Sequence, residues 1–64
     1  MEIIFKEVDG ITYEAEYTVD GNMLTVYGVN TSKSSQLNGI REESLAKILL
    51  GHLIREGKAE EQNS

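Results

Sequence analysis

A chain of 64 residues holds one domain at most, and one so short buries a smaller share of its surface than a larger domain does, so its margin of stability is narrow. It has no cysteine, which excludes disulfides, thiolate metal sites and cysteine catalysis. Eleven acids against six bases leave a net charge of −5, a balance that works against attraction to nucleic acid or to an anionic membrane.

In chain order, Met1 to Lys6 comes first. It alternates and carries Glu2, unlike the basic and then apolar start of a secretory leader. Glu2 to Val8, rich in Ile, Phe and Val, predicts a strand. Ile11 to Val19 alternates apolar and polar without a fault, the period of a half-buried strand. Met23 to Val29 predicts a third strand.

Asp9-Gly10 and Asp20-Gly21 separate the three runs. Asp-Gly favours the type I′ hairpin turn, which needs positive φ at both central residues. The first turn then pairs Val8 with Ile11, Lys6 with Tyr13 and Ile4 with Ala15. The second turn centres on Asp20-Gly21 or on Gly21-Asn22, and both choices put Leu24 and Val26 on the face of Tyr17 and Val19.

Register sets two faces. One carries Ile4, Val8, Ile11, Tyr13, Ala15, Tyr17, Val19, Leu24 and Val26, with Lys6 as its odd member, and must be covered. The other carries Ile3, Phe5, Glu7, Thr12, Glu14, Glu16, Thr18, Thr25, Tyr27 and Val29: an acidic and threonine column between apolar edge strands.

Asn30 to Asn38, a run of Ser, Thr, Asn, Gln and Lys around one Leu, reads as a polar connection between sheet and helix. From about Ile40 to Glu56 the period becomes 3.6. Leu45, Ile48, Leu49, His52 and Leu53 form the stripe expected to face the sheet, with Leu49 and Leu53 on Ala15, Tyr17 and Val26. Asn38 or Gly39 is the expected N-cap, Glu42 and Glu43 suit the first turns, and Gly57 is the expected left-handed cap. The expected fold is therefore α+β, a three-stranded antiparallel β-meander in the order 1-2-3 with one C-terminal α-helix on one face, βββα. The domain spans 1–58 and the tail 59–64 is expected to be disordered.

Chemistry-bearing residues are few. His52 is the only histidine, and its spacing puts it among core leucines, where catalysis would need a nucleophile or second acid and a metal would need further ligands. The glycines form no phosphate-binding spacing. Tyr13 and Tyr17 belong to the covered face, so the three tyrosines make no stacking platform. Arg55 and Lys58 suit the negative end of the helix dipole, and Lys47 lies four residues beyond Glu43, the spacing of a helix ion pair. The expectation is a non-enzyme with no catalytic residue, no metal, no cofactor and no small-molecule ligand. Lys47 to Arg55, the longest apolar run, is broken by Gly51 and His52 and is too short to span a bilayer. No membrane association is expected, and the chain is read as cytoplasmic.

Two surfaces are candidates for protein contact. Ala46, Leu50 and Ile54 form a second helix stripe beside Gly51, with room for close approach of a second helix. Ile3, Phe5 and Tyr27 flank Glu14 and Glu16 on the uncovered sheet face. Contiguous exposed apolar groups mark interaction sites. Facing carboxylates repel, so the helix stripe suits a homodimer and the sheet face suits a cationic partner. The expected function is a small protein–protein interaction module able to self-associate. The alternative is a nucleic-acid-associated regulatory domain, since the βββα layout resembles domains that lay a three-stranded sheet in the major groove. The acidic outer face opposes that reading.

Overall fold

The computed structural model describes residues 1–62. It is an α+β fold: an antiparallel meander in the order β1-β2-β3-β4, with one helix across one face. β1 is Glu2–Val8, β2 Ile11–Asp20, β3 Met23–Gly28 and β4 Thr31–Gln36; helix α1 is Glu42–Arg55 and a two-residue β5 is Glu60–Glu61. The first hairpin has the expected register, with Val8 opposite Ile11, Lys6 opposite Tyr13 and Ile4 opposite Ala15. Asp9 and Gly10 both take positive φ, the requirement of the type I′ turn. The second turn settles on Gly21-Asn22: Asp20 pairs with Met23, and Gly21 alone has positive φ.

The sheet has a fourth strand where a polar connection was expected. β4 pairs with β3 from Gly28–Thr31 to Met23–Gln36. The turn Val29-Asn30 contains no glycine; Asn30 takes φ 56° instead, a conformation asparagine tolerates better than most residues. β4 has no apolar side chain, so its period of two is invisible to hydropathy. Thr31, Lys33 and Ser35 are half-buried under the helix while Ser32, Ser34 and Gln36 are exposed. Lys33 lays its stem on the inner face and reaches Glu56 at 2.8 Å. That hydrogen bond holds the Glu56 carboxyl below its usual range.

Helix α1 starts two residues later than expected, with Arg41 as N-cap and no side-chain cap bond. Asn38 and Gly39 instead take positive φ in the connection. The helix ends as predicted at Gly57, φ 72°. Gly57 N–H donates to Ile54 and Lys58 N–H to Leu53, the paired bonds of a Schellman motif.

The buried helix face is Leu45, Ala46, Leu49, Leu50 and Leu53, an arc of about 140° at 100° per residue. It packs on Ile4, Ala15, Tyr17, Leu24 and Val26. The expected stripe spans an equal arc but is turned by about 60°: Ile48, assigned to the core, is 49% exposed, whereas Leu50, assigned to the surface, is 0% exposed. The helix rests chiefly on β1 and β3 and also meets β4.

The segment after the helix also differs from expectation. Ala59 packs against the core. Glu60 and Glu61 pair with Glu14 and Tyr13 of β2, and Gln62 N–H donates to Thr12 at 2.8 Å. β3 leaves β2 at Gly28 to turn into β4, and β5 takes the vacated lane. Asn63 and Ser64 lie outside the described residues.

Candidate interaction surfaces

Two sequence anomalies resolve each other on the helix. Lys6 is the odd cation of the inner face, and Gly51 is the odd glycine of the helix. A Cβ at Gly51 would sit 3.3 Å from Lys6 Cε, so the lysine stem lies across the glycine. The close approach expected at Gly51 is therefore made by a side chain of the same molecule. Ala46 and Leu50 are wholly buried, and Ile54 packs against the core. The stripe of Ala46, Leu50, Gly51 and Ile54 is thus part of the fold's interior boundary and offers no apolar docking face.

The outer sheet face is different. Strand pairing sets Ile3, Glu16, Tyr27 and Ser32 in one row. The next row is Phe5, Glu14 and Glu60. Ile3 is 55%, Phe5 45% and Tyr27 42% exposed. Glu16 is exposed and Glu14 half-buried. Between the ends of β3 and β5 the face dips into a depression of about 260 Å³, lined by Ile3, Glu14, Ala15, Glu16, Tyr27, Gly28 and Glu60. Tyr27 is steadied by a 3.2 Å hydrogen bond between its hydroxyl and Thr18 Oγ1. Thr25 and Ser34 hydroxyls join at 2.7 Å in the next row. The outward strand positions carry Glu7, Glu14, Glu16, Asp20 and Glu60 and neither Lys nor Arg. Glu60 was missed by sequence reading because pairing of a two-residue segment leaves no periodic signal.

A second cleft, about 540 Å³, lies between the start of β1 and the start of α1, lined by Glu2, Ile3, Tyr17, Arg41, Glu42 and Glu43. Tyr17 is 5% exposed. Burial raises its phenol pKa, and the charges of Glu2, Glu42 and Glu43 raise it further. His52 is half-buried near the end of α1. Among the described residues no group of three or more His, Asp or Glu side chains could hold a metal ion, and no helix is long and apolar enough to cross a membrane. No protein-family model matches the chain, and no curated protein or solved structure matches it either.

Proposed function

We propose that the protein is a non-enzymatic interaction module whose outer sheet face receives a protein partner bearing both cationic and apolar side chains. The observation that carries the reading is the composition of that face. Ile3, Phe5 and Tyr27 are exposed around Glu14, Glu16 and Glu60, with no base among the outward strand positions. Apolar contact supplies affinity, and desolvated carboxylates demand cations opposite them. The same carboxylates repel phosphate, which disfavours nucleic acid as the partner.

The test is an NMR titration with a synthetic peptide of alternating Arg and Leu, with its Glu-for-Arg counterpart as control. Shifts confined to Ile3, Phe5, Glu14, Glu16, Tyr27 and Glu60 are expected, weakening with added salt. Glu14→Lys with Glu16→Lys should abolish them. Equal binding of both peptides, or shifts centred on the helix, would overturn the assignment.

A further inference from the structure

We infer that β1 is a self-pairing edge, at which a second copy of this chain adds antiparallel to form one continuous sheet. β1 and β4 are the two edges of the meander. The first hairpin closes on Val8 and Ile11 across a two-residue turn. The even-numbered residues of β1 therefore exchange hydrogen bonds with β2, and Ile3, Phe5 and Glu7 direct N–H and C=O outward. An exposed strand edge of this kind is a template for another strand.

Charge selects the occupant and the register. Antiparallel pairing about Ile4 sets Ile4 against its own copy, Ile3 against Phe5 of the second copy, and Glu2 against Lys6 of the second copy. The two-fold repeats each pair. Every inward charge from Glu2 to Lys6 then meets its opposite, and the exposed Ile3 and Phe5 side chains meet each other. Moving the centre to Phe5 sets Lys6 against Ile4 and Glu7 against Ile3. Moving it to Ile3 sets Glu2 against Ile4. An inward lysine on an edge strand ordinarily discourages pairing; here it discourages every strand but one that brings a carboxylate to that position, as this chain does. β4 offers no equivalent, because Thr31 to Gln36 contains no apolar side chain.

Pairing about an axis normal to the sheet keeps both outer faces on one side. Ile3, Phe5, Glu14 and Glu16 of the two copies then form a single surface. Self-pairing depends on the edge of β1 and does not require the partner proposed for the face.

Sedimentation equilibrium over a rising concentration series tests it. The wild-type chain should approach twice its monomer mass. Glu2→Lys should weaken the dimer about tenfold, since two attractive pairs become repulsive. Glu2→Lys with Lys6→Glu should restore it. Because Lys6 also packs on Gly51, Phe5→Pro serves as an independent variant. It removes an N–H that faces away from β2, so it should leave the circular dichroism unchanged and abolish the dimer. Amides of Ile3, Phe5 and Glu7 should gain exchange protection as concentration rises. A wild-type monomer at millimolar concentration would overturn the inference. So would a dimer that forms equally in Glu2→Lys and Phe5→Pro with those amides unprotected, which would instead indicate face-to-face association.

Discussion

At the residue scale, Gly28 is the position with least freedom. It lies on the helix face at the end of β3, where a Cβ would stand 2.5 Å from the Lys58 carbonyl oxygen and 3.2 Å from both Leu53 methyls. The oxygen is backbone, held by Val29 N–H at 2.8 Å, and cannot swing aside as a side chain would. Gly28→Ala should therefore destabilise by about 1–3 kcal/mol through overpacking. A melting temperature lowered by several degrees would record it. An unchanged temperature would mean that the chain from Lys58 onward is not seated against β3. Leu50 and Ile48 make a sharper pair. Leu50→Ala should cost about 2–5 kcal/mol, and Ile48→Ala should stay within about 0.5 kcal/mol, because only the first side chain is enclosed. Urea melts of both variants check the rotation of the helix. The opposite ranking would restore the helix rotation read from the sequence.

At the element scale, the helix is held more firmly at its end than at its start. Arg41 caps the N-terminus without a side-chain bond, whereas Gly57 closes the C-terminus with two backbone bonds. Gly57→Ala should cost about 1 kcal/mol, because a Cβ disfavours φ 72°. Faster amide exchange at Gly57 and Lys58 is the local sign to measure. The end of the helix also aims the C-terminal segment: the chain leaves Gly57 towards Gly28, and Glu60 reaches β2 opposite Glu14. Two carboxylates directly opposite each other disfavour pairing. β5 is thus the weakest strand pair by its charges, and Glu60→Lys should strengthen it. Slower exchange of Gln62 N–H, the amide bonded to Thr12, would show this; no change would mean that charge does not govern the pairing.

At the scale of the whole molecule, pH stability turns on Tyr17, which lies between sheet and helix near Glu2, Glu42 and Glu43. Burial and then those charges raise its pKa, so the folded chain holds the phenol proton more tightly than the unfolded chain. Its contribution is complete below the unfolded value, about 10, and is lost as pH rises from there through the folded value. Denaturant melts between pH 8 and 11 should show stability falling above about pH 10, and Tyr17→Phe should flatten the fall. An equal decline in the phenylalanine variant would assign it to other groups.

Much of this molecule is local chemistry. Asp9-Gly10 selects the first hairpin, the alternation of Ile11 to Val19 selects its faces, and Gly57 ends the helix; each acts over a few neighbouring residues and is legible in their order. The outer face was legible for the same reason, since the placement of Ile3, Phe5, Glu14, Glu16 and Tyr27 is set by strand register alone. Tertiary contact decided the rest. β4 has no apolar residue to announce it and exists because β3 offers an edge and Asn30 accepts a left-handed turn. β5 exists because β3 departs from β2 and leaves a lane open. The rotation at which the helix docks on the sheet decides which of its faces is enclosed, which turns Leu50 from a candidate contact into core and leaves Ile48 outside. Hydropathy along the chain reports which side chains avoid water, but only the docking of the helix on Ile4, Ala15, Tyr17, Leu24 and Val26 sets which of several apolar stripes is covered.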